Sequence, residues 1–178
     1  MTPEEFRKVF LPEGRRLYAL AFRYLNNREE AEDAVQEVMM KLWEERKKTA
    51  GHENPAAWCT TVTRNYCIDL LRKRKRIVHD DISGVKDVME AGSDIIRKSD
   101  GSEAAALITG IVEHMKEPYR SAVILRDIEG YSYEEAAEAM QTSVGTLRTM
   151  LSRARKSIRE EMERIYNYGT GEDKRAAR

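Results

Sequence analysis

No stretch of this 178-residue chain approaches the roughly 20 consecutive apolar residues that a membrane-spanning helix needs. Its first residues, Met1-Thr2-Pro3-Glu4-Glu5, are acidic rather than basic and then apolar. Neither a signal peptide nor a membrane anchor is expected, and the chain is expected in the cytoplasm. Cysteine is scarce: Cys59 and Cys67 stand without a His/Cys cluster, so a metal site or a secreted disulfide framework is not indicated and both read as reduced helix residues. His52, His79 and His114 are isolated. A nucleophile–base pair, a Gly-rich phosphate loop and metal-ligand spacing are all missing, so no catalysis and no cofactor are expected. There is no internal repeat, and strand signals are nearly absent.

Excess charge of one sign is missing too, since 31 Lys and Arg balance 31 Asp and Glu. Net charge therefore does not indicate a polyanion-binding protein, but the distribution of charge does. Arg72-Lys73-Arg74-Lys75-Arg76 is an unbroken basic run, and Arg148 to Arg159 carries five bases and no acid. Acids gather in Glu29–Glu37 and Asp127–Glu138. A chain that separates charge in this way offers local positive faces while staying neutral in total.

With 41% hydrophobic and 35% charged residues, the chain has a helix-rich profile rather than a disordered one. Thr2-Pro3 reads as an N-cap with proline in the first turn. Leu17, Leu20, Ala21, Tyr24 and Leu25 recur at helical spacing up to Asn26-Asn27. Asn27 with Glu30 predicts a capping box for a helix whose stripe is Ala31, Ala34, Val35, Val38, Met39 and Leu42. Asn54-Pro55 opens a further helix through Trp58, Val62, Tyr66, Leu70 and Leu71 into the basic run. Turn-rich residues 77–102 read as a linker, with a short helix near Val85–Met89. Pro118 opens a helix that reaches Gly130 as its C-terminal cap. The fold class expected is all-α, with one small helical domain over 1–76, another over 103–168 and a flexible tail over 169–178.

The second domain carries a helix-turn-helix pattern. Ser132 and Glu135 cap a short helix from Tyr133 to about Met140, and Gln141-Thr142 turns the chain into a longer helix from Ser143 to about Tyr166. Ala136, Ala137 and Met140 are placed to pack on Val144, Leu147 and Leu151, with Ala137 small where two helices approach. Arg148, Thr149 and Ser152 would face a major groove, with Arg153 one turn further on. An arginine can hold the O6/N7 edge of guanine with two hydrogen bonds. Arg155, Lys156 and Arg159 suit backbone phosphates, which position without specifying. The same pattern also fits an amphipathic helix with a solvated basic face.

Gly130-Tyr-Ser-Tyr-Glu-Glu-Ala-Ala-Glu-Ala-Met140, then Ser143-Val-Gly-Thr-Leu-Arg148 and Ser152-Arg-Ala-Arg-Lys156, resemble the C-terminal domain (region 4) of extracytoplasmic-function sigma factors. Tyr119 to Gly130 is similar to the helix before it. Asn27 to Val38 with Leu42-Trp43 resembles the family's polymerase-binding helix. Asn54-Pro-Ala-Ala-Trp58, Arg64-Asn65, Asp69-Leu-Leu-Arg72 and the basic run resemble its promoter-melting helix. Both blocks stand in family order over about 10–76 and 103–165. The family often has a basic or polar residue where Met150 stands, and Met cannot hydrogen-bond a base, so the −35 sequence is not carried over. Lys116 stands where a Leu-Pro pair commonly starts the preceding helix, and Pro118 supplies that start instead.

The resemblance implies a factor that binds the β and β′ subunits of RNA polymerase core and directs it to promoter DNA. Asp33, Gln36, Glu37 and Trp43 would dock on core. Asn65 would contact a captured base of the −10 element, flanked by Arg64 and Tyr66, with Arg72, Lys73, Arg74 and Arg76 gripping phosphates. Aromatic and amide groups suit unstacked bases, and a basic run makes binding salt-sensitive. Arg148, Thr149, Ser152, Arg153, Arg155 and Lys156 would read the −35 element. An anti-sigma factor is implied as a further partner. An autonomous helix-turn-helix regulator acting as a dimer remains an alternative, as does a helical adaptor that sequesters an anti-sigma factor. Where the acidic face is merely solvated, Asp33, Gln36 and Glu37 only meet water, and Trp43 and Trp58 are core.

Overall fold

The computed structural model describes residues 1–49, 54–80 and 103–176. The helices are α1 (Pro3–Phe10), α2 (Gly14–Leu25), α3 (Arg28–Glu44), α4 (Arg46–Thr49), α5 (Pro55–Asp80), α6 (Glu103–His114), α7 (Tyr119–Val123), α8 (Tyr133–Ala139) and α9 (Val144–Ala176). A 3₁₀ turn at Leu11–Glu13 joins α1 to α2. No strand occurs among the described residues, and the architecture is all-α as expected.

Helix starts follow the side chains that cap them. Thr2 and Glu5 bond reciprocally at α1, and Ser132 and Glu135 do the same at α8. Each such box satisfies two amides that the helix itself leaves without acceptors. At α3 only half of the expected box forms. The Asn27 side chain accepts from the Glu30 amide at 3.1 Å, while the Glu30 carboxylate reaches across to Arg74 on α5. A strong cationic partner there draws it away from the Asn27 amide.

The helix expected from Pro118 to Gly130 is interrupted. α7 passes into a π turn at Ile124–Ile128, closed by a bond from the Glu129 amide to the Ile124 carbonyl. Gly130 then adopts φ +72°, a conformation that a side chain disfavours. The cap position read from the sequence is therefore the position used. Two helices are longer than expected. α5 continues through residues 77–80, and α9 runs to Ala176. Neither extension contains a proline, the one residue that would remove a backbone donor, and glycine only lowers propensity. The rest of the expected linker, with the helix near Val85–Met89, lies outside the described residues.

Two hydrophobic clusters hold the helices. A smaller one joins Phe6, Phe10, Leu17, Val38, Leu42 and Cys59 within the N-terminal block. The larger one is shared by both blocks: Leu20, Ala21, Tyr24, Ala31, Ala34 and Ile68 continue into Val112, Ala122, Leu125, Tyr131, Ala136, Leu147 and Leu151. α2 packs on α3 and α5, α7 on α9, and α5 on α8. The two helical domains therefore meet face to face, and the helix-turn-helix lies against the N-terminal bundle.

Candidate nucleic-acid interface

α8 and α9 form the expected helix-turn-helix. Ala136, Ala137, Leu147 and Leu151 are buried between and beneath them. Gln141 takes φ +53° in the turn, and the Ser143 hydroxyl accepts from the Thr146 amide at 3.1 Å to start α9. On the outer face, Arg148, Thr149, Ser152, Arg153, Arg155 and Lys156 are all exposed. The Thr149 hydroxyl donates to the Gly145 carbonyl at 3.1 Å, and the Arg148 guanidinium lies 5.1 Å from the Tyr133 ring centre, which braces it without covering it. Arg155 is held bidentately by Asp127 at 2.9 and 2.6 Å. That bond, first among its causes, pushes the Arg155 pKa up. Lys156 faces Glu160 at 3.7 Å. Met150 is partly buried against the core, so its side chain belongs to the packing.

The α5 residues divide differently. Arg72, Lys73, Arg74 and Arg76 are exposed, with Arg72 beside Asp69 at 3.4 Å and Arg74 paired with Glu30. Asn65 is exposed, and its side-chain oxygen accepts from Arg64 at 3.0 Å. Tyr66 is half-buried between both clusters. Burial first, then the Glu37 carboxylate nearby, pushes its hydroxyl pKa up. A cleft of about 210 Å³ opens beside Asn65 and Tyr66, lined also by Trp58, Val62 and Lys41, with Gln141 from the helix-turn-helix as one wall.

On α3, Asp33, Gln36 and Glu37 are exposed at i, i+3 and i+4 spacing, which puts them on one face. Trp43 is partly buried. It meets Phe6 edge-on at 5.2 Å and lies under Arg46 at 4.4 Å. The structure thus places Trp43 in the packing of the smaller cluster, apart from the exposed acidic face.

Sequence reasoning missed the contacts between the two domains. Tyr24 of α2 donates to the Ser121 hydroxyl at 2.6 Å. Arg64 donates to that same oxygen at 3.0 Å and faces Glu117 at 3.7 Å. Ser121 in turn donates to Glu117. Arg120 donates to the Tyr24 carbonyl at 3.0 Å. Around this centre Arg16 pairs with Glu135 at 3.2 Å and lies 3.8 Å over the Tyr131 ring, while Arg23 pairs with Glu129 at 2.9 Å. Burial raises the Tyr24 pKa, which keeps its hydroxyl a donor. Partners as distant in the chain as Tyr24 and Ser121 leave no local pattern to find.

Residues 10–77 match sigma-70 region 2, and residues 105–158 match sigma-70 region 4. The chain belongs to the extracytoplasmic-function sigma factors. It is 30% identical over 147 residues to the ECF sigma factor EcfG of Rhodopseudomonas palustris, covering 80% of this chain and 76% of that one. With the ECF sigma factor SigE of Mycolicibacterium smegmatis it shares 28% identity over 149 residues, covering 82% of this chain and 56% of that longer one. Among solved structures, the sigma factor RpoE in complex with the anti-sigma factor NepR from Bartonella quintana is similar, with TM-score 0.68 and 28% identity. That match covers 90% of this chain and 98% of RpoE. In this sigma factor the region 2 match runs from the last residue of α1 through most of α5, and the region 4 match runs from α6 into α9. No helix among the described residues is long and apolar enough to cross a membrane.

Proposed function

We propose that this sigma factor engages core RNA polymerase through the acidic α3 face and reads two promoter elements with two different helices. The observation that carries the reading is the pairing, in one chain, of a region 2 helix bearing Arg64, Asn65 and Tyr66 with a region 4 helix-turn-helix whose Arg-rich face is exposed. Promoter-specific initiation of transcription is the function of the family.

Arg148, Thr149, Ser152 and Arg153 are the side chains that would reach base edges of the −35 element, where each bidentate arginine contributes about 1–3 kcal/mol of discrimination. Arg155 and Lys156 would contact phosphates and fix the register of α9. On α5, the cleft beside Asn65 would receive a −10 base turned out of the stack, with Tyr66 against its face. Stacking contributes about 1–3 kcal/mol per base. Arg72, Lys73, Arg74 and Arg76 would neutralise phosphates, so that affinity falls as salt rises. Asp33, Gln36 and Glu37 would meet a basic surface of the β and β′ subunits, with Trp43 fixing the end of α3 from within. This chain supplies no catalytic step; the polymerase forms the phosphodiester bond in the cytoplasm.

The likeness to RpoE bound to NepR supports an anti-sigma factor as an additional partner of this chain. The experiment that tests the main reading is transcription in vitro by purified core polymerase on a randomised promoter library, with and without this protein. Transcripts that appear only with it and share two upstream elements support the reading. DNA binding without initiation by core would favour an autonomous regulator, and binding to neither DNA nor core would favour an adaptor.

A further inference from the structure

We propose that the Tyr24–Ser121–Arg64–Glu117 network is an intramolecular latch that closes region 4 onto region 2, with Arg64 exchanging its region 4 partners for DNA when the latch opens. The proposal rests on the reading of α5 as the promoter-melting helix.

Four observations carry it. First, Ser121 sits at 0% exposure and its hydroxyl uses its full bonding capacity, with two of its three bonds crossing the domain junction. It accepts from Tyr24 and from Arg64 and donates to Glu117, and one hydroxyl offers two acceptor sites and one donor. A buried polar centre is tolerated only when bonded in this way, so one arrangement of the two domains is singled out among the many that would bury similar apolar area.

Second, the rim of the junction is ionic. Arg16–Glu135 and Arg23–Glu129 lie at 3.2 and 2.9 Å; the Arg16, Glu135 and Arg23 side chains are only partly covered, while Glu129 is mostly covered. Every one of these groups can be rehydrated if the domains part, which makes the junction separable in a way that a purely apolar core is not.

Third, closure occupies the residues assigned to the −10 element. Arg64 is bonded to region 4, and Arg64 also holds the Asn65 side-chain oxygen. Gln141, from the turn of the helix-turn-helix, walls the cleft beside Asn65. A base cannot enter from that side while the turn is in place.

Fourth, distance forbids the closed form from reading both elements at once. Elements at −35 and −10 are about 25 base pairs apart, which is roughly 85 Å at about 3.4 Å per pair. A compact chain of this length has a radius of gyration of about 16 Å. The residues 81–102 that connect α5 to α6 can extend to at most about 75 Å, which together with the breadth of the two domains is sufficient once they separate. Promoter engagement and the latch are therefore mutually exclusive states of one chain.

The test is single-molecule energy transfer on the full chain, labelled at Lys8→Cys and Glu163→Cys, both exposed positions; Cys59 and Cys67 are buried and stay unlabelled. The free protein is expected to show mainly the short distance. Ser121→Ala and Glu117→Gln are each expected to raise the open fraction about tenfold, as loss of a buried bond to a charged group does. Because Ser121 lies deep in the core, a rim pair provides a second route. Arg16→Glu is expected to open the chain, and Arg16→Glu with Glu135→Arg to close it again. Circular dichroism at the same temperature checks that each variant is folded. A free wild-type chain that is mainly open overturns the latch, as does an unchanged distance distribution in folded Ser121→Ala and Glu117→Gln. This readout uses neither core nor DNA, so failure of the latch and failure of the sigma reading in the transcription assay are separate results.

Discussion

The two helices assigned to promoter DNA are presented in opposite ways. α9 carries its basic groups outward: Arg148, Arg153 and Lys156 are exposed, and even Arg155, bound by Asp127, remains at the surface. α5 carries Arg64 into a junction between domains and keeps Asn65 on the edge of a cleft with a region 4 wall. Both helices are Arg-rich in sequence, yet one is an open reading surface and the other a partly occupied one. Composition therefore states which helices can meet a polyanion, while tertiary packing states which of them is available to do so.

The sharpest way to break this contrast is to remove the scaffold under α9. Leu151→Ala empties a position at 1% exposure and is expected to cost about 2–5 kcal/mol, read as a lower midpoint in urea unfolding. Arg153→Ala, on the outer face of the same helix, is expected to change stability by less than about 0.5 kcal/mol while weakening promoter binding by about 1–3 kcal/mol. If both substitutions unfold the protein equally, α9 is not the exposed surface described.

Asn65→Ala sharpens the α5 side. The residue is exposed, so unfolding midpoints stay within experimental error. Permanganate footprinting of thymines in the −10 region is expected to show melting reduced by about tenfold, in keeping with the loss of one base contact of about 1–3 kcal/mol. Loss of duplex affinity with normal melting would place the base contact elsewhere on α5.

A smaller effect follows from the cap of α8. Ser132→Ala removes the acceptor for the Glu135 amide at 3.1 Å and is expected to lower stability by about 1 kcal/mol, measured by thermal unfolding. α9 should be presented normally once the protein is folded.

The smallest is a pH effect at the junction. The Ser132 amide, more than Arg16, holds the Glu135 carboxyl below the usual carboxylate range. A carboxylate with a depressed pKa contributes stability that is complete above its unfolded pKa and fades as pH falls through the folded value. Acidification from about pH 6 toward about pH 3 is therefore expected to loosen the Arg16–Glu135 rim, and Glu135→Gln to flatten that part of the profile. Fluorescence of the Lys8→Cys, Glu163→Cys pair reads both.

Much of this was legible from the sequence because the signals are local. The Thr2 cap, the Ser132 box, the Gly130 cap, the packing of Ala136 and Ala137 on Leu147 and Leu151, and the all-α class each follow from patterns confined to one helix or one pair of adjacent helices. The half-formed box at Asn27 failed because Glu30 has a distant competitor in Arg74. The π turn at Ile124–Ile128 has no composition of its own, since apolar residues recur there as in any buried helix. Tyr24 and Ser121 were unreadable for the same reason on a larger scale. A tyrosine in an apolar stripe and a serine beside a proline-started helix gain their meaning only when the chain brings them to 2.6 Å.

The measurement that tests the central claim most directly is promoter selection by core polymerase from a random library, carried out with the wild-type chain, Arg153→Ala and Asn65→Ala in parallel. The division of labour between α9 and α5 predicts that Arg153→Ala blurs only the upstream element and Asn65→Ala only the downstream one. If both substitutions blur the same element, or neither changes the selected sequences, the assignment of one helix to each element is contradicted.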